Sequence, residues 1–240
     1  MGSSLGVPFI FLIGDMLSIR NQKKADVKVF LMSNILSNLA DDDSMIEKCS
    51  LKIKHATLAR HQSLERVALL QPLSGKHLNS ENYRLILEKF YGFFSPLEVL
   101  INRFEIVIHL PDYPMRRKST VLLSDIDYLN KERDTHPSIP LCTDLPNVES
   151  LETAFGCLYV MEGSTLGGRF IYKAIEETLA FKQGHGASFF FGYGAETGAK
   201  WKLFQQALDQ ICSGGNDDST IAAANETFFK FQNWLNTNGG

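Results

Sequence analysis

Two side chains one helical turn apart could together hold a metal. His61 and Glu65 close the run Leu51-Lys-Ile-Lys-His-Ala-Thr-Leu-Ala-Arg-His-Gln-Ser-Leu-Glu65. On a helix, residues four apart are neighbours. A carboxylate that accepts from Nδ1–H fixes the imidazole tautomer and leaves Nε2 free for a metal. Leu58, Leu64, Glu65 and Ala68 stand at −3, +3, +4 and +7 from His61, which places His61 on an apolar face. Lys54 lies two turns back on a similar side, within reach of an anionic group. Taken alone, a His–Glu pair at this spacing is more often an ordinary pair on a helix surface than a metal ligand.

The second feature is Tyr159-Val-Met-Glu-Gly163-Ser164-Thr-Leu-Gly167-Gly168, inside an apolar segment with helical spacing from 151 to 181. A glycine inside a helix costs about 1 kcal/mol relative to alanine, so three of them call for a reason. At about 100° per residue, Gly163, Gly167 and Gly168 fall on one side of the cylinder. That side is bare backbone, and either a second helix or a planar ligand can lie against it. Paired with a histidine on another helix and a nearby lysine, it reads as a slot for a flat, iron-bearing, dianionic macrocycle. Haem needs one axial imidazole, and reactive haem an open sixth position.

The elements that must position these residues are helical. Residues 26–40 fit a short amphipathic helix, and 46–70 a long one stopped by Pro72. The next starts at an Asn79 or Ser80 cap and runs to about His109, with a bend at Gly92 or Pro96. A shorter helix spans about 116–130. The stretch 134–147, with Pro137, Pro140 and Pro146, reads as a loop. The glycine-bearing helix follows, kinked at its glycines. The aromatic strip Phe189 to Tyr193, set among glycines, reads as a loop or broken helix. Two helices close the chain at 196–212 and 218–236. No run of strands and no repeat appears, which predicts a single all-α domain over 46–238, with 1–45 as an N-terminal extension.

Composition narrows the function. The chain has 240 residues, 44% of them hydrophobic and 21% charged, as suits a globular protein. A net charge of −3 gives no case for nucleic acid. The apolar stretch 7–13 is too short to span a membrane. Cys49, Cys142, Cys157 and Cys212 are scattered and form no C-x-x-C pair, which argues against a zinc site and a disulfide framework and for a reducing cytoplasm.

Ordered along the chain, these motifs resemble the haem oxygenase family, specifically its bacterial biliverdin-producing branch, which includes the enzymes that supply bacterial phytochromes. The matching motifs are His61-Gln-Ser-Leu-Glu65, Tyr83…Phe90-Tyr91-Gly-Phe93-Phe94-Ser-Pro-Leu-Glu98, Tyr159…Gly163-Ser-Thr-Leu-Gly167-Gly168 and Phe191-Gly-Tyr-Gly…Lys200-Trp201. The resemblance implies a single-domain multi-helical bundle that binds haem b as both cofactor and substrate. It implies cleavage with O2 and electrons, from a ferredoxin or flavin reductase, to biliverdin, CO and iron. His61 would be the proximal ligand and the metal's protein donor, with Glu65 accepting from its Nδ1–H. Gly163, Gly167 and Gly168 would lie over the distal face. Lys54, Tyr159 and a lysine of the penultimate helix, Lys200 or Lys202, would meet the propionates. Ser164 stands where animal-type members carry aspartate, and it would help hold distal water.

Two other functions compete: haem binding or delivery without turnover, and a di-iron oxidase on the same helical fold. The second needs inward-pointing Glu and Glu–His pairs. Glu65 and Glu162 are present, but no i,i+3 Glu–His pair is. His55, six residues before His61, reads as surface or packing, and Cys157 as a buried, inert thiol. The cluster Arg116-Arg117-Lys118 reads as a solvated helix end, or as a docking site for an acidic electron donor.

Overall fold

The computed structural model describes residues 48–75, 77–131, 138–213, 215 and 217–237. The helix expected over 26–40 and the extension 1–45 lie outside them. Among the described residues there are nine α-helices and no strand.

Helix α1 (Cys49–Leu64) carries His61 in its last turn. The single helix expected over 46–70 is in fact two pieces. Backbone bonds from Arg66 N to Ser63 O and Val67 N to Leu64 O tighten the chain, and a 3-10 helix spans Ala68–Ser74 around Pro72. Proline has no N–H to continue an α-helix, and Gly75, at φ 87°, turns the chain out.

Helix α2 (Ser80–Ile101) starts at the expected Asn79 cap, and Asn82 answers reciprocally to complete a capping box. It ends at Ile101, short of His109. A separate helix, α3 (Ile106–His109), and a 3-10 turn (Tyr113–Arg116) fill the interval before α4 (Lys118–Asn130). The described part of the proline-rich stretch, 138–149, carries no regular structure.

Ser150 caps α5 (Leu151–Gly163). The turn Ser164–Gly167 separates α5 from α6 (Gly168–Leu179), so the kink foreseen at the glycines is a full break. The short α7 (Ser188–Phe191) lies in the aromatic strip. Helices α8 (Thr197–Cys212) and α9 (Asp217–Asn236) complete the fold near their expected bounds.

Helix α9 is the common wall. It packs most extensively on α5 and α1, while α2 packs on α4. Lys52 pairs with Asp217 at the start of α9, and Ser63 takes a bond from Gln232 near its end, so α1 and α9 run the same way. Gly156 permits the α5–α9 contact, because a Cβ there would sit 2.3 Å from Thr220 O. An aromatic core fills the centre, with Phe90, Phe93, Phe94, Phe189 and Phe231 in mutual ring contact.

The cysteines depart from expectation. Cys49 opens α1, Cys212 closes α8, and the two form a disulfide with Cα atoms 6.1 Å apart. Their separation of 163 residues hides the pairing in the sequence. Cys142 and Cys157 are free and buried.

Candidate functional site

His61 is half-buried, and its Nδ1 lies 3.1 Å from Glu65 Oε1. The carboxylate is buried, and that oxygen has no partner in hydrogen-bond alignment. A small rotation of the imidazole would supply one. With Nδ1 on the carboxylate side, Nε2 is the nitrogen available to a metal. The ring meets Phe228 of α9 edge-on at 5.8 Å, which limits its swing.

The face around His61 is not the core face expected. Leu64 is buried, but Leu58 is 47% exposed and Leu51 46% exposed. Lys54, between them, is exposed as well. Helix α1 thus shows two exposed leucines with a lysine between them and a histidine one turn on, the pattern of a surface that a mixed apolar and anionic ligand would cover. Leu203 of α8 is also exposed.

Tyr159 of α5 joins two helices. It lies beside Thr57, one turn before His61, and its ring meets Trp201 of α8 at 5.6 Å. Burial raises the Tyr159 pKa and Thr57 partly offsets it, so the phenol stays neutral. One turn on, Gly163 is open: a Cβ built there meets nothing within 4 Å. Gly168 is not, since a Cβ there would lie 2.5 Å from Phe190 O, and this glycine lets α6 approach α7. Gly167 sits in the turn at φ −78° and ψ −15°, a conformation any residue adopts. Ser164 is half-buried and donates to Met161 O at 2.7 Å, which leaves its oxygen free to accept.

Two residues of the basic cluster are buried, against expectation. Arg116 is 2% exposed and Lys118 5% exposed, so they form neither a solvated helix end nor a docking patch. Both converge on the buried Glu162 carboxylate, Arg116 Nη1 at 2.7 Å and Lys118 Nζ at 2.6 Å. Tyr193 donates to Glu162 Oε1 at 2.8 Å. Burial first, then the charge of Glu162, raise the Tyr193 pKa. Burial also lowers the Lys118 pKa, against the pull of Glu162. Glu162 is therefore occupied and is not a free metal ligand. Lys200 is engaged too, 2.6 Å from Asp112, and its carbonyl accepts from Arg116. Lys202 is exposed.

Sequence reasoning missed Thr57 and the Glu162 cluster. The last had one available signal, a lone acid within the apolar run Leu158 to Gly163 and a basic triplet upstream needing a counter-charge.

Fold and site define an all-helical protein with a half-open histidine at the end of one helix and a glycine-broken helix beside it on a shared wall. The family described as Heme oxygenase matches residues 47–237, and the chain belongs to that family. A heme oxygenase from Xanthomonas campestris pv. campestris is 26% identical over 171 residues, covering 70% of this chain and 96% of its own length. Among solved structures, the NO- and CO-bound heme oxygenase of Neisseria meningitidis superposes with a TM-score of 0.64 at 23% identity, over 78% of this chain and 90% of that one. Heme oxygenase-1 from the cyanobacterium Synechocystis, solved with heme, gives 0.63 at 15% identity, over 79% and 91%. None of the described helices is long and apolar enough to cross a membrane.

Proposed function

We propose that the chain binds haem b and opens it, with O2 and electrons, to biliverdin, CO and iron. The observation that carries this is His61, with Nδ1 beside a buried carboxylate oxygen that lacks a partner and Nε2 left over. The exposed strip Leu51–Lys54–Leu58 and the open Gly163 fit the same ligand. Bound haem would supply the iron and the oxidisable ring.

The protein's part is orientation, hydrogen bonding and exclusion. His61 would ligate through Nε2, and Glu65 would hold the proton on Nδ1, keeping the ligand a neutral imidazole. Lys54 and Lys202, both exposed, would take the propionates with Tyr159. Lys200 would not, because Asp112 holds it. Gly163, Gly167 and Gly168 would form the distal wall, with Gly163 its bare point and Gly168 fixing the wall to α7. Ser164 would hold a distal water through its free lone pairs. Residues 46–238 would make up the domain, with 1–45 outside it. A ferredoxin-type or flavin reductase donor would supply electrons.

Hemin added to the purified protein should give a Soret band of histidine ligation. Ascorbate or a ferredoxin system under O2 should convert it to a biliverdin spectrum. A folded protein with no Soret band would end the proposal, and stable oxygenated haem with no ring opening would favour delivery instead.

A further inference from the structure

We propose that Glu162 is a positioning residue, clamped by Arg116, Lys118 and Tyr193, that holds the Gly163 turn in the one shape that supports turnover. This rests on the haem reading above and deepens it. Glu162 immediately precedes Gly163, so any rotation at residue 162 moves the open glycine.

The clamp works on both ends of the residue. Its carboxylate receives Arg116 from the 3-10 turn, Lys118 from the start of α4 and Tyr193 from the loop after α7. Lys118 Nζ also donates to the Tyr193 hydroxyl at 2.7 Å, closing a ring of three groups. Its backbone carbonyl accepts from Thr165 N at 3.1 Å and Thr165 Oγ1 at 2.7 Å. Thr165 is buried, and Gly168 is pressed on Phe190 O. The turn is therefore pinned at 162, 165 and 168, while a Cβ at 163 would meet nothing within 4 Å.

Stability does not account for such a cluster. Buried ion groups often contribute no more than well-packed apolar side chains would, and their best-attested use is to fix register. Here the register fixed is that of α5 against three other segments, at the residue before the bare glycine. Asp112 joins the same frame, bonded to Arg116 at 2.7 Å and to Lys200 at 2.6 Å. The start of α8 and the turn thus share one network.

The test uses Tyr193→Phe, Glu162→Gln and a matched control, Tyr83→Phe. Tyr83 is fully buried and donates to Gly186 O at 2.8 Å, so its hydroxyl loss is the same chemical change away from the turn. Tyr193→Phe keeps the ring that Lys118 overlies at 4.6 Å. In haem-free protein, amide exchange over Ser164–Gly168 should quicken about fivefold or more in Tyr193→Phe, which loses the bond donated to Glu162 and the one accepted from Lys118. Glu162→Gln should quicken it more, and Tyr83→Phe not at all. In hemin-loaded protein, Tyr193→Phe should lower kcat by about fivefold or more with the haem Kd within about twofold, a loss confined to the transition state. Tyr83→Phe should leave kcat within about twofold whatever its melting temperature. Unchanged exchange in both Glu162 and Tyr193 variants, or an unchanged kcat in Tyr193→Phe, overturns the proposal. If the wild-type protein neither binds nor consumes hemin, the haem reading and the kinetic half fall together, and exchange still decides the clamp.

Discussion

Gly163→Ala should strengthen the haem-free protein while disabling the loaded one. Gly163 is the last residue of α5, its φ is not positive, and a Cβ there meets nothing within 4 Å. The methyl therefore causes no clash in the empty fold. Replacing a helical glycine by alanine contributes up to about 1 kcal/mol, and less at a helix end. For a domain of this size that is a melting temperature unchanged or raised by up to about 4 °C. In the loaded protein the same methyl enters the space proposed for the ligand. Turnover should fall about tenfold or more, equivalent to about 1.4 kcal/mol of barrier. Gly156→Ala, in the same helix, is the internal comparison. Its Cβ would lie 2.3 Å from Thr220 O and 2.9 Å from Ala223 Cβ. Overpacking there costs about 1–3 kcal/mol, so its melting temperature should drop by about 2–12 °C. The assays are thermal melts of haem-free protein and hemin consumption with ascorbate. Full turnover in Gly163→Ala, or a melting temperature that falls, refutes the placement of the ligand against α5.

Three further outcomes follow from the same geometry. His61→Ala should abolish the histidine-type Soret band, with recovery on added imidazole, and Glu65→Gln should weaken haem affinity about 10–100-fold, both read by absorbance titration. Asp112 is raised by burial but lowered more by Arg116 and Lys200, so its folded pKa lies below the ordinary 3.8. That sign means a stability contribution present above about pH 4 and lost on acidification through the folded pKa, so Asp112→Asn should flatten the acid limb of urea melts taken from about pH 6 to 2. Burial pushes the Cys157 thiol up to about 12, so native protein at pH 8 should resist alkylation at Cys157. In denaturant, thiol titration should count the two free cysteines without reductant and all four after it.

Local rules made the helices legible. Asn79 announced its cap, Pro72 its break, and the spacing around His61 put Glu65 beside it, as found. What was not legible is tertiary in origin. The triplet Arg116-Arg117-Lys118 looks like solvent-facing charge, and only Arg117, with its side chain 42% exposed, behaves so. The other two are buried because Glu162, some 45 residues on, is carried into the same space by the packing of α5. Leu58 looks like core by periodicity, yet it is exposed, because no described element covers that part of α1. Periodicity reports which residues avoid water, and it cannot distinguish a protein partner from a ligand. The Cys49–Cys212 link escaped for a related reason. Cysteine spacing signals metals and tight frameworks, whereas this link is set by where two helix ends meet.

The helix that contributes least chemistry fixes the most geometry. No proposed ligand residue lies on α9, yet the two helices that carry the proposed proximal and distal groups both pack on it. Phe228 holds the His61 ring edge-on, and Thr220 to Ala224 set how closely Gly156, and with it α5, can approach. How α1 and α5 are held is therefore a property of α9, on which both pack. Enlarging Ala223 would push α5 outward without touching a ligand, and shrinking Phe228 would free the imidazole without altering Glu65. Substitutions on α9 should then change how haem is seated, while leaving the identity of its axial ligand intact.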